Sequence, residues 1–355
     1  MALLCGRMCG GLAVSVVIVG MLLGASTGIV GATVVTMGLL SLPTMLRRGY
    51  QPELATGVIS ASGTLGQIIP PSIVLVLLGD IVGVSVGDLF MGAVLPGMLL
   101  VGLYIIYILI YSNLRKECAP LIPDAEWKEV LRQGLFKRVL KALAPPVTLM
   151  VAVLGSIFAG VASPTEAAAV GASGAILLAV LNRRLTYARL KDTMMTTMVL
   201  TSMVFIILVG AGAFGLVFRG LGGDQLIRGF LQSLHLNKWA VLAIVMGLIF
   251  VIGFFLDFIE ITFIHIPVLA PIMADFGFDP LWFSILFAVN LQTSFMTPPF
   301  GFSLFYLKGV APPEIQTGHI YRGIVPFVLL QILGLLLVIF IPALATWLPR
   351  VVFGD

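Results

Sequence analysis

Long apolar runs separated by short polar or glycine-proline steps set the rhythm of this chain, and strand-period alternation is absent. Marking the runs predicts a helical hairpin over 10–46, a span over 52–79 with Pro70-Pro71 in its middle, and a span over 89–112. A polar stretch at 113–142 follows, then connecting spans within 143–218, at 144–162, 165–182 and 194–217. The last part, 219–355, holds a second hairpin over 239–275, a second interrupted span over 280–307 and a final span over 320–348. Such runs reach the roughly 20 apolar residues that a helix needs to cross a bilayer. The pattern therefore predicts an all-α polytopic membrane fold.

The first and last parts of this map repeat each other. Pro43, Gly49, Pro52, Pro70 and Pro71 recur 228 positions later as Pro271, Gly277, Pro280, Pro298 and Pro299. In each copy an apolar hairpin leads through a glycine-proline step into a helix that a proline pair should break, because two adjacent prolines remove two amide donors and crowd the preceding turn. Loop charge sets the orientation. Arg115, Lys116, Lys128, Arg132, Lys137, Arg138 and Lys141 lie on one loop and Arg183, Arg184, Arg189 and Lys191 on another, two spans apart and so on one side, which the positive-inside rule makes cytoplasmic. Trp127 and Phe136 within 113–142 suit an amphipathic helix on the interface. Counting spans outward, the first hairpin enters and leaves from the cytoplasm and the second from outside, so the copies are inverted. Residues 1–112 form the first inverted repeat and 219–355 the second.

Composition agrees and narrows the class. Hydrophobic residues make up 59% of the chain and charged residues 10%, with a mean hydropathy of +1.13, far from soluble-domain usage. The net charge of +4 sits in loops and not on a basic face, which argues against nucleic-acid binding. Three cysteines, Cys5, Cys9 and Cys118, supply neither a disulfide framework nor a metal cluster.

Broken helices in inverted repeats place binding sites near the membrane midplane. In the first copy the hairpin should turn at Gly24-Ala25-Ser26-Thr27-Gly28, where two hydroxyls sit between glycines, and its partner is Ser62-Gly63-Thr64-Leu65-Gly66-Gln67 ahead of Pro70-Pro71. The second copy offers Asn290, Gln292, Thr293, Ser294 and Thr297 ahead of Pro298-Pro299, facing a turn near 253–258. Unwound carbonyls and hydroxyls are the hard oxygen donors an alkali cation wants. One cation site per repeat is the expectation; small residues for close helix packing are the plainer reading of the same clusters. Asp257, Glu260 and His265 are ionisable groups in an apolar hairpin, candidates for ion or substrate contact, with Asp257 also placed to cap a helix.

Two motifs imitate catalysis. Ser163-Pro164-Thr165-Glu166 fits a capping box and is read as structural. Gly171-Ala172-Ser173-Gly174 and the Gly24 to Gly28 stretch resemble surroundings of a nucleophilic serine, which leaves an intramembrane serine hydrolase as an alternative from another class. Its histidine is hard to supply, since His235, His265 and His319 all lie in or beside the second repeat.

The chain also resembles a known family, the large DctM-type permease subunit of tripartite ATP-independent periplasmic (TRAP) transporters. Gly10-Gly11-Leu12, Arg48-Gly49-Tyr50, Ser62-Gly63-Thr64-Leu65-Gly66, Ile69-Pro70-Pro71-Ser72, Pro96-Gly97, Pro164-Thr165-Glu166-Ala167-Ala168 and Thr297-Pro298-Pro299-Phe300-Gly301 carry the likeness, which covers nearly the whole chain. It implies an elevator-type symporter of a bacterial inner membrane that takes up a small organic anion with sodium. It also implies two partners, a soluble periplasmic solute-binding protein and a small DctQ-type membrane subunit, and no cofactor beyond Na+ as coupling ion. The family's sodium sites map onto Ser26, Thr27, Ser62, Gly63, Thr64, Asn290, Thr293 and Thr297. At the first tip this chain departs from the family's usual Ser-Gly-Ser, and the family has a further block of helices ahead of the first hairpin. An inverted-repeat anion symporter that works without a binding protein is the alternative within transport.

Overall fold

The structure is a computed structural model and describes residues 8–121, 135–233 and 235–354. It is helical throughout, with no strand among the described residues. Helices α1 (Gly11–Thr27) and α2 (Val30–Arg47) form the first hairpin. Next come α3 (Pro52–Thr64), a 3-10 turn at Leu65–Gln67, α4 (Ile73–Val82) and α5 (Val86–Leu114). Then follow α6 (Leu135–Phe158), α7 (Pro164–Leu181), α8 (Tyr187–Gly220) and α9 (Gly223–Ser233). The second hairpin is α10 (Lys238–Ile252) with α11 (Phe258–Asp275), and α12 (Pro280–Phe295), α13 (Phe302–Val310), α14 (Thr317–Phe340) and α15 (Ala343–Phe353) complete the chain. Six helices, α2, α5, α7, α8, α11 and α14, are long and apolar enough to cross a membrane.

Each hairpin is closed by the same local device. Gly49 and Gly277 adopt left-handed backbone, with φ of 75° and 80°, a conformation glycine takes without steric cost. At each, two amides fold back on the helix end: Gly49 N to Leu46 O and Tyr50 N to Met45 O in one, Gly277 N to Ala274 O and Phe278 N to Met273 O in the other. Pro52 and Pro280 then open α3 and α12, where a missing amide proton costs nothing. The Tyr50 hydroxyl accepts from the amide of Leu12 at 3.3 Å and ties the closing turn to the start of α1.

Packing between the halves is reciprocal. The second hairpin arm α2 lies on α13, while α11 lies on α4, so each arm covers the far half of the other copy's broken helix. In the same manner α3 packs against α14 and α12 against α5. The α3 to α14 approach is so close that a Cβ on either Gly57 or Gly323 would run into main-chain oxygen of the other helix. Helices α3 and α12 form the core, buried along nearly their full lengths, whereas α7 and α8 bury only Ala167 and Ala211 and are otherwise apolar on the outside.

Several expectations need correction. The first hairpin turns at Gly28 and Ile29, because α1 stays helical through Thr27. The final span is two helices, parted at Ile341 and Pro342, with α15 packed against α5. The stretch between α8 and α10 carries the short helix α9, whose Arg228 pairs with Asp275 at 2.6 Å. The amphipathic segment placed at 113–142 falls partly on 122–134, outside the described residues; its end, from Leu135, is the start of α6.

That helix also corrects the proline argument, for Pro145 and Pro146 sit inside it without a break. The carbonyls they deprive of donors belong to Lys141, whose side chain is exposed, and to residue 142. At 70–71 the deprived carbonyls belong to Gly66 and Gln67, both buried, and there the chain leaves the helix. The pair by itself therefore does not dictate a break; at 70–71 it coincides with acceptors that are buried.

Candidate functional site

Both predicted breaks are present. The first runs from the 3-10 turn to Ser72, which is extended, and the second from Met296 to Gly301; the bonds Pro70–Pro71 and Pro298–Pro299 are both cis. By the i−4 rule Pro71 frees the carbonyl of Gln67 and Pro299 that of Phe295. Each is taken by a serine hydroxyl, Ser72 Oγ on Gln67 O at 2.5 Å and Ser303 Oγ on Phe295 O at 3.2 Å.

The hairpin tips sit on these breaks. Gly24 in α1 lies against Gly66, so that a Cβ on Gly24 would come within 2.8 Å of the Gly66 main chain. One turn earlier Gly20 lies on Ser62, again with 2.7 Å for an added Cβ. In the other half Gly253 lies on Ser294, whose position 228 residues earlier is Gly66. Phe255 of that tip meets Phe300 of the break, ring centroids 5.8 Å apart. Tyr306 of α13 reaches across to the first hairpin, where its ring covers Gly31 in α2.

The hydroxyls share one habit. Ser62 donates to Ile59 O at 3.2 Å, Thr64 to Ala61 O at 2.9 Å, Thr293 to Val289 O at 2.8 Å, Ser294 to Leu291 O at 2.8 Å and Thr297 to Thr293 O at 2.7 Å. A hydroxyl that has given its proton to the helix behind it presents only lone pairs in front, which is the form a cation can use. The Asn290 amide nitrogen donates to Met246 O at 2.8 Å in α10, leaving its oxygen on the opposite side of the group. Ser62, Thr64, Asn290, Gln292, Thr293 and Ser294 are all buried. In an apolar core such oxygens are costly unless partnered, and here they cluster at both helix breaks.

Other expected residues fall elsewhere. Ser26 and Thr27 end α1 and are exposed; Ser26 Oγ donates to Leu23 O at 2.8 Å and Thr27 meets Thr33 Oγ1 at 2.9 Å. Ser26 faces a cavity of about 450 Å³ bounded by Pro71, Phe90 of α5 and apolar residues of α6 and α7. Gly63 is pressed on Val34 of α2, so its contribution is limited to its carbonyl. Asp257 caps α11, accepting from Phe258 N at 2.8 Å, while one Glu260 oxygen is buried without a partner. Ser163 and Glu166 form the expected capping box, with Glu166 accepting from the Ser163 amide at 2.7 Å. Ser173 is exposed on α7.

Sequence reasoning passed over Ser303, Thr33, Gly20 and the role of Ser72 at the break, and gave close packing only as the plainer reading of the glycine clusters. For the last a signal existed: Gly20 and Gly24 stand four residues apart on α1, the spacing that lets two helix backbones touch.

A buried pair of broken helices, each capped by a hairpin, in an all-helical chain with membrane-length apolar helices is the architecture of a membrane transport protein. The family model for the tripartite ATP-independent periplasmic transporter, DctM component, matches residues 1–344, and this chain belongs to that family. It is similar to the C4-dicarboxylate TRAP transporter large permease protein DctM of Pseudomonas aeruginosa, 32% identical across 97% of this chain and 79% of the relative. It is 32% identical to the ectoine/5-hydroxyectoine large permease UehC of Ruegeria pomeroyi, over 98% of this chain and 79% of that one. It also aligns at 31% with the isethionate permease DctMQ of Oleidesulfovibrio alaskensis, over 96% of this chain and 52% of the relative. A transporter working from the periplasm crosses the inner membrane, and this large permease subunit is a multi-pass protein there.

Proposed function

We propose that this chain is the sodium-coupled permease of a binding-protein-dependent importer of small organic anions, carboxylates in particular. The observation that carries the reading is the pair of oxygen clusters, Ser62 with Thr64 and Asn290 with Thr293 and Ser294, all buried, with the half-buried Thr297 beside the second, each at a helix break and each with its hydroxyl protons already committed. Helices α4 and α13 begin at the breaks, so their positive ends offer an anion partial charge from both sides. Several of the relatives are named for C4-dicarboxylates, which fits that polarity.

In this reading the two halves are inverted repeats, the hairpins are re-entrant, and the hairpin-and-break unit moves as an elevator. A solute-binding protein delivers substrate, and a DctQ-type small subunit completes the membrane part; the DctMQ name of one relative joins the letters of both subunits. Each charge moved through 100 mV contributes about 2.3 kcal/mol to uptake. The test is uptake into proteoliposomes holding the complete complex with its binding protein. Replacing sodium by potassium should abolish accumulation, and undiminished uptake in potassium refutes the coupling. Omitting the binding protein in the same preparation separates this reading from a self-sufficient symporter.

A further inference from the structure

Gln292 and Thr64 are 228 residues apart, the offset that relates the two halves. A residue can touch its own counterpart only beside the two-fold axis that exchanges the copies. Gln292 Nε2 donates to Thr64 Oγ1 at 3.3 Å, and both side chains are fully buried. Thr64 spends its own proton on Ala61 O, so it serves here as acceptor. The other end of the Gln292 amide, Oε1, is buried without a partner, as are both amide atoms of Gln67, three residues on from Thr64. Each unsatisfied buried polar atom costs about 1–3 kcal/mol, so three of them around one contact call for a use.

The flanking residues suggest which. Thr64 belongs to the oxygen cluster of the first break, and Gln292 stands between Asn290 and Thr293 of the second. One hydrogen bond therefore joins one cluster directly to the other.

We propose that Gln292 is a positioning residue that couples the two candidate cation sites. This rests on the sodium reading above. An ion held by Thr64 Oγ1 fixes that hydroxyl and with it the Gln292 amide. Both ends of an amide turn together, so Oε1 is fixed as well, and the second ion meets a site whose ordering cost is already met. The coupling is reciprocal: either ion favours the other by the same factor.

Sodium dependence of uptake by the complete complex in proteoliposomes tests this with wild type, Gln292→Leu, Thr64→Val and the double variant. Wild type should be sigmoidal with a Hill coefficient approaching about 2, the number of coupled sites. Gln292→Leu should lower it to about 1 and raise half-saturating sodium at least about fivefold, the low end of typical coupling. The double variant should need no more sodium than the worse single one, since both remove the same link. Thr64→Ser, which keeps the hydroxyl, should restore the sigmoid. Should Gln292→Leu fail to assemble, Gln292→Met, of similar length, carries the same expectation. A sodium-independent wild type overturns this proposal together with the sodium reading. Sodium dependence that stays as sigmoidal in Gln292→Leu as in wild type, or singles whose effects multiply in the double variant, overturns the coupling alone.

Discussion

Replacing Gly66 by alanine probes the contact between the first hairpin tip and the helix break. A Cβ on Gly66 would fall on the carbonyl carbon, Cα and oxygen of Gly24, and no side chain is available to rotate away. From the other side, Gly24→Ala would put its Cβ 2.8 Å from the nitrogen and Cα of Gly66. Carbon atoms rest at about 3.5–4.0 Å, so tip and break must part by roughly an ångström. Overpacking of this kind costs about 1–3 kcal/mol. At 1.4 kcal/mol per factor of ten, occupancy of the closed tip falls by about 5- to 150-fold. Gly247→Ala on α10 and Gly102→Ala on α5 are the controls, since nothing lies within 4 Å of a Cβ at either position. In these helices alanine should instead gain up to about 1 kcal/mol in propensity. Thermal unfolding of the purified protein and half-saturating sodium for uptake are the two readouts. Gly66→Ala should melt earlier and need more sodium; if it matches Gly247→Ala in both, the tip does not close on the break as argued.

Two further substitutions test the architecture apart from transport. Ser72→Ala or Ser303→Ala strands the carbonyl of Gln67 or Phe295, and thermal unfolding should report a loss of about 1–3 kcal/mol; an unchanged midpoint would mean that water replaces the serine. Ser163→Ala removes the capping box of α7 and should cost about 0.5–2 kcal/mol of stability with the sodium dependence of uptake unaltered. A shifted sodium requirement in that variant would move the 163–166 turn into the transport machinery.

What could be read from the sequence was what the backbone itself must do. Pro52 and Pro280 open helices, Gly49 and Gly277 close them in left-handed backbone, and the pairs at 70–71 and 298–299 break them where expected. Neighbour-dependent features were less legible. Gly24 reads as a turn residue, yet it is helical and its lack of a side chain serves contact with Gly66, a partner 42 positions away. Pro145-Pro146 carries the same pair of imino acids and stays helical, so the pair alone does not dictate a break. Hydropathy averaged over a span hid the break at Pro342, and it passed over α9 because a short helix mixing Asp224 and Arg228 with apolar residues averages to a loop. Of the candidate site, residue types and spacing were visible at both breaks. The bond from Gln292 to Thr64 was not, since periodicity along a chain says nothing about what crosses an axis.

The two serines that quench carbonyls at the breaks occupy different positions: Ser72 stands just ahead of the helix that follows the first break, Ser303 is the second residue of the helix that follows the second. Subtracting 228 from 303 gives Leu75, not a serine. What the two halves share is an obligation, a bare acceptor that some donor must reach, and each half meets it from a different place along the chain. Self-alignment that scores matching letters will miss such a correspondence, whereas asking of each half which oxygen is orphaned and who answers it will find it.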